Sequence, residues 1–219
     1  MRFKRALSII LAVAVTVSAA SCGGEKQDNK LTLGTVQGNV YTNDFFDLKV
    51  EASEGFNYAD DETIQAIGLS TADKYAKFDD DLMKDVAKDL KSGKTITDFY
   101  LSDEDYADSL NFMISYGGHD LKDKMIENII DESLPMLQES YDKQGLRGAK
   151  CERSVIEFCG RKIPCIKINA SVALQGGAYA EIYQTQIQFI HGDYLGCLTA
   201  TTYIDDTTED MLNMATVTY

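Results

Sequence analysis

Positive charge is scarce in this chain. Lys and Arg number 21 against 35 Asp and Glu, a formal net charge of −14 over 219 residues. Nucleic-acid binding rests on neutralising phosphates with Lys and Arg, and anionic headgroups likewise attract basic segments. A chain this acidic is repelled by both. Histidine is rarer still, with His119 and His191 alone. No C-x-x-C pair, no Gly-x-Ser-x-Gly elbow and no phosphate-cradling glycine loop occurs, which withdraws the sequence argument for structural zinc, for a strand-to-helix nucleophile and for nucleotide phosphates. A cysteine–histidine nucleophile pair requires groups far apart in sequence to converge. The acids do not compose a calcium loop. Asp103, Asp105 and Asp108 lack an oxygen ligand at Ala107 or a following glycine, and Asp79-Asp80-Asp81 suits the start of a helix. No cofactor and no metal is expected.

What the chain does have is strand-type sequence, concentrated between Cys151 and Tyr203. From Tyr183 it reads Tyr-Gln-Thr-Gln-Ile-Gln-Phe. Side chains of a strand alternate between faces, so Tyr183, Ile187 and Phe189 share one face, and Gln184, Gln186 and Gln188 the other. Ile166 and Ile168 alternate in the same way with Lys167 and Asn169. The pattern predicts an antiparallel sheet with one apolar and one polar face. Gln184, Gln186 and Gln188, with Lys167 and Asn169, are the candidate binding surface, set against plain water-facing sheet.

Elsewhere the elements can be taken in chain order. Val40–Asn43 and Phe45–Val50 predict a strand pair turning at Asn43-Asp44. Asp60 or Asp61 caps a short helix through about Ile67, ended by Gly68. Asp79–Leu90 is a surer helix, with Leu82, Met83, Val86, Ala87 and Leu90 as its stripe and Lys91 and Gly93 closing it. Thr95–Leu101 and Leu110–Tyr116 are strands around the acidic loop. Leu121–Tyr141 is helical along Ile126, Ile130, Leu134, Leu137 and Tyr141. Pro135 implies either a kink near Asp131 or a new helix capped by Ser133. Ala149–Phe158 and Lys162–Ala170 form a hairpin across Gly160-Arg161, with Pro164 at an edge or bulge. After a loop at Gly176-Gly177, Tyr179–Ile190 and Tyr194–Tyr203 form another across Gly192-Asp193, where His191 is a turn residue. Thr207–Met214 closes the chain as a short helix. The fold class is α+β: an antiparallel sheet of about six to eight strands packed with helices.

Tyr41-Thr42-Asn43 before an apolar strand, Glu54-Gly55 followed by the aromatic Phe56, and a helix opened by Asp60-Asp61-Glu62 together resemble the start of PsbP-like domains. The order of elements is similar across Val40–Met214. The resemblance implies an α/β/α sandwich and a non-catalytic domain that docks onto something.

The N-terminal residues predict an address. Met1–Ser21 has a basic start and an uncharged run, Ala6 to Ala20, too short to span a bilayer comfortably; it has the form of a secretory signal peptide. Ala19-Ala20-Ser21-Cys22 resembles the bacterial lipobox, which implies that Cys22 is lipidated and becomes the first residue. The other reading is ordinary cleavage after Ala20. Removing residues 1–21 takes away Arg2, Lys4 and Arg5 and no acid, so the charge moves from −14 to −17. Two acyl chains hold a protein stably where one does not, and a diacylglyceryl-cysteine would supply them. Residues 22–36 read as a tether, reaching on the order of 20 Å, and 37–219 as a single domain. The four later cysteines, Cys151, Cys159, Cys165 and Cys197, are expected as free, buried or partly buried thiols, with one disulfide as the alternative. Three functions stand in order: a lipid-anchored extracytoplasmic interaction module, held to the cell membrane through Cys22; a ligand- or ion-binding accessory lipoprotein for a transporter; and a hydrolase using His119 or a cysteine with an acid.

Overall fold

The computed structural model describes residues 31–77, 81–104, 108–118, 121–173 and 177–218, without side chains for 81–83. The signal peptide, Cys22, Asp79-Asp80, Asp105, His119 and Gly176 lie outside the described residues, as do the side chains of Leu82 and Met83.

The chain runs β1 (Thr35–Gln37), β2 (Val40–Asn43), β3 (Leu48–Glu51), β4 (Phe56–Tyr58), α1 (Asp61–Tyr75), α2 (Asp81–Ser92), β5 (Thr95–Asp103), β6 (Ser109–Tyr116), α3 (Ile126–Lys143), β7 (Arg147–Phe158), β8 (Arg161–Ala173), β9 (Tyr179–His191), β10 (Tyr194–Tyr203), α4 (Thr208–Leu212) and β11 (Ala215–Val217). Seven strands form one sheet in the order β4-β5-β6-β10-β9-β8-β7, and four form a second in the order β1-β2-β3-β11. Every strand pairing among the described residues is antiparallel. The molecule is α+β, antiparallel sheets packed with helices.

The two faces of the large sheet are covered differently. On one, Phe99, Leu101, Leu110, Phe112, Ile187 and Leu198 pack against the small sheet's Tyr41, Leu48 and Val50 and against Met211 and Leu212 of α4. On the other, Ile166, Ile168, Ala170 and Ile182 meet Ala72 and Tyr75 of α1, Ala87 of α2, and Ile130, Leu137 and Tyr141 of α3. Burying a side chain such as Leu137 or Ile130 in such a layer contributes about 1.5–3 kcal/mol.

Several elements differ from the sequence expectation. The Asp60 cap is real: its carboxylate accepts the Thr63 N–H at 2.8 Å. Yet α1 runs through Gly68 to Tyr75, because Thr71, Ala72 and Tyr75 continue the buried stripe beyond Ile67. A mid-helix glycine costs only about 1 kcal/mol, which that burial outweighs. Ser133 caps nothing. It lies buried inside α3 and its hydroxyl donates to the Ile129 carbonyl at 2.6 Å, while Pro135 sits exposed within the same helix. The short strands β1, β4 and β11 add to those expected, and β1 straddles the expected boundary between tether and domain at residue 36.

Both long hairpins form. The first turns at Cys159-Gly160, with φ +50 and +74; two positive φ values match the right-handed twist of the flanking strands. The Pro164 expectation holds locally. β8 pairs with β9 only from Cys165 onward, so Pro164 lies on a stretch bonded to β7 alone.

Candidate functional site

The five residues singled out as a surface do not share one. Across β8 and β9 the register sets Ile166 beside Gln186, Ile168 beside Gln184, Lys167 beside Thr185 and Asn169 beside Tyr183. Lys167 and Asn169 therefore lie on the opposite face from the glutamines. The glutamine row is not water-facing sheet either: Gln184, Gln186 and Gln188 are 2%, 1% and 6% exposed, on the face covered by α1–α3. Gln184 accepts from the Tyr141 hydroxyl and donates to Thr201 Oγ1 at 2.9 Å. No hydrogen bond reaches Gln186 Nε2 or Gln188 Oε1 among the described residues. Lys167 is engaged by Glu209 at 2.7 Å, and Asn169 is exposed.

Cys151, Cys159, Cys165 and Cys197 are free thiols. Burial pushes Cys151 up to about 12 and Cys165 and Cys197 up to about 11, which leaves little thiolate, the nucleophilic form. Cys159 departs from the expected burial: it is exposed at the β7–β8 turn, its Sγ accepting the Val217 N–H at 3.4 Å. His191 is exposed at the β9–β10 turn with its ring 4.5 Å from that of Phe45. Asp108 accepts the Tyr203 N–H at 3.1 Å, and burial raises its pKa. Among the described residues no three His, Cys, Asp or Glu are grouped to hold a metal ion, and no helix is long and apolar enough to cross a membrane.

One concave feature brings chemistry together. A groove of about 640 Å³ runs along the start of β5, between α1, the end of α2 and the incoming segment at Leu33-Gly34. Its walls are Leu33, Ile64, Leu69, Leu90 and Ile96; its charged groups are Asp61, Lys91 and Asp98. Asp98 occupies a register shift between Thr97 and Phe99, and a bulge re-aims a side chain that regular alternation would place elsewhere. Its carboxylate gathers three neutral donors. The Tyr41 hydroxyl and Asn43 Nδ2, the latter at 2.7 Å, both donate to Oδ2. The Gly34 N–H is shared between Oδ1 and Oδ2 at 3.1 and 3.0 Å. Burial, then the Asp98 charge, raises the Tyr41 pKa far above the ordinary phenol range, so Tyr41 remains a donor at any working pH. Gly34 is glycine because a Cβ there would run into the Tyr41 ring. The Asn43 side chain also accepts the Phe46 N–H at 2.9 Å, fixing the β2–β3 turn. Asp98 thus clamps the segment arriving from the N-terminus onto the groove wall.

From sequence Asp98 reads only as part of a strand. The signal that points to it is local: Thr-Ile-Thr alternates, and Asp98-Phe99-Tyr100-Leu101 then breaks the alternation with three consecutive apolar residues, as a bulge requires.

No family model and no curated protein matches the chain. Among solved structures it is similar to cyanobacterial PsbP (CyanoP) from Synechocystis sp. PCC 6803, at 14% identity over 91% of this chain and 99% of that one, TM-score 0.41. It is also similar to LpqN, involved in cell envelope biogenesis of Mycobacterium tuberculosis, at 12% identity over 57% of this chain and 79% of that one, TM-score 0.34.

Proposed function

We propose that this chain is a lipid-anchored extracytoplasmic docking module that performs no catalysis. Cys22 carries the lipid, Gly23–Lys30 spans the distance to the body, and the body presents the β5 groove to a protein partner. The observation that carries this reading is the Asp98 clamp. It secures the chain at Gly34, twelve residues after the lipidated position, so the tether enters the body at the groove wall. With −17 on the mature chain, attraction to anionic lipid contributes nothing to the location, and the acyl chains alone must hold it there. The thiols and histidine at hand are raised in pKa, engaged in packing or placed at turns, an arrangement suited to stability rather than turnover.

The test is cell fractionation of wild type, Cys22→Ser and globomycin-treated cells, with a photo-crosslinking residue at position 69 on the groove rim. Chains with Cys22 intact are expected in the membrane fraction, the one carrying the crosslinker at position 69 with a discrete adduct, and Cys22→Ser in the soluble fraction. A Cys22→Ser chain that stays with the membrane overturns the anchor. A membrane-bound chain carrying the crosslinker at position 69 that gives no adduct overturns the docking.

A further inference from the structure

We propose that the open edge of β5 takes an extended, basic segment of a partner protein as an added strand, with one of its Lys or Arg side chains meeting Asp98. This rests on the docking function above and names the chemistry of the partner.

An edge strand presents unpaired N–H and C=O groups, and proteins normally close such edges. The large sheet ends in β7 on one side. There the Gln138 side chain, reaching over from α3, donates from Nε2 to the Ala149 carbonyl at 2.7 Å and accepts the Cys151 N–H at 3.0 Å on Oε1. One primary amide supplies the donor and the acceptor that a neighbouring strand's backbone would supply, so that edge is plugged at Ala149 and Cys151. The other side ends in β4, which pairs only with Leu101–Asp103. Upstream of it, Thr95–Asp98 is an edge. The Tyr116 N–H donates to the Lys94 carbonyl at 3.1 Å, so Lys94 faces β6. In an antiparallel pair successive residues alternate between facing the partner strand and facing away; the backbones of Thr95 and Thr97 therefore point away from β6, toward the groove. Among the described residues no backbone–backbone bond outside the ladder occupies them. The β7 edge is plugged beside α3, and the β5 edge lies open inside a groove.

The groove also specifies what enters. Its apolar walls, Leu33 and Leu69 among them at 51% and 49% exposure, suit the alternate side chains of an extended segment, the arrangement by which strand addition gains selectivity. Its charge is negative. Lys91 is taken by Asp73 at 2.8 Å, which leaves Asp61 and Asp98. Asp98 is satisfied by neutral donors alone, so its charge has no counter-ion among the described residues. Among the described residues its Oδ1 accepts only the shared Gly34 N–H, whereas a carboxylate offers about four acceptor positions in all. An ammonium or guanidinium would complete it, and a chain of charge −17 would speed the approach of a basic segment.

The experiment is hydrogen–deuterium exchange on the full-length chain in neutral detergent, with acetyl-Val-Lys-Val-Lys-Val-amide as the probe and its Glu-for-Lys counterpart as the control. With the Lys peptide, exchange at the Thr95 and Thr97 amides is expected to slow at least tenfold; with the Glu peptide it should not. Asp98→Asn should weaken the peptide about tenfold, the loss of one charge-assisted hydrogen bond. Leu69→Lys should do the same from the groove wall without disturbing the clamp. Protection confined to other acidic surfaces, or equal protection by both peptides, overturns the proposal. Protection at Thr95 and Thr97 that grows with protein concentration alone assigns the edge to a second copy of the chain and overturns it too. None of these outcomes alters where the Cys22→Ser chain fractionates, so failure here is separable from failure of the anchor.

Discussion

Gln184 and Gln188 lie on one face of one strand, both buried, and replacing each by Met should move stability in opposite directions. Gln188 Oε1 has no partner among the described residues, and a buried polar group left without one costs about 1–3 kcal/mol. Met fills a similar volume without that demand. For a domain of this size 1 kcal/mol moves Tm by about 2–4 °C, so Gln188→Met should raise Tm by roughly 2–12 °C. Gln184 is the opposite case. It accepts from the Tyr141 hydroxyl and donates to Thr201 Oγ1, and Tyr141 is only 2% exposed. Gln184→Met strands that phenol in an apolar layer and should cost about 2–4 kcal/mol, a fall of roughly 4–16 °C. Differential scanning calorimetry of the two variants beside wild type reads both. If Gln188→Met lowers Tm as Gln184→Met does, the Gln188 amide has a partner, such as an ordered water, and the accounting for this face is wrong.

Other perturbations test separate parts of the structure. Asp98→Ala removes the acceptor for the Gly34, Tyr41 and Asn43 donors; stability should fall by about 2–4 kcal/mol, and limited proteolysis should cut before β1 far sooner than in wild type. Unchanged cleavage would mean that the clamp does not hold that segment. Gln138→Ala uncovers the β7 backbone at Ala149 and Cys151 and should give faster hydrogen exchange at the Cys151 amide; unchanged exchange there contradicts the plugging role. Asp108 carries a pKa raised by burial from 3.8. A group whose folded pKa is raised contributes stability that is full below its unfolded pKa and is lost as pH rises through the folded value. Asp108→Asn, which keeps Oδ1 for the Tyr203 N–H, should therefore gain on wild type as pH is raised from about 4 to neutrality. A stability difference in urea melts that is the same at both ends of that range refutes the assignment.

The limits of the sequence are visible in the same residues. The alternation of β9 is legible, and so is the separation of Ile187 from its glutamines. Which face meets water is not, because Gln184 is buried by a Tyr141 that lies 43 positions away, and no local pattern announces such a partner. Grouping Lys167 and Asn169 with the glutamines fails by one residue of register, and a shift of one exchanges the two faces; that register depends on how the chain turns between Ala173 and Tyr179, which the strands do not encode. The strands β1, β4 and β11 are three residues each, too short for a periodicity to show. Helices α2 and α3 are readable because their apolar stripes span several turns. The groove is not, since it is assembled from α1, α2, β5 and the segment at Leu33, none of which carries a motif.

Mass spectrometry of the N-terminal peptide of the mature protein, purified from membranes, bears most directly on the anchored body proposed here. The peptide should begin at Cys22 and carry the added mass of a diacylglyceryl group. A peptide that begins at Ser21, or at an unmodified Cys22, would leave a strongly acidic domain with nothing to hold it at the membrane.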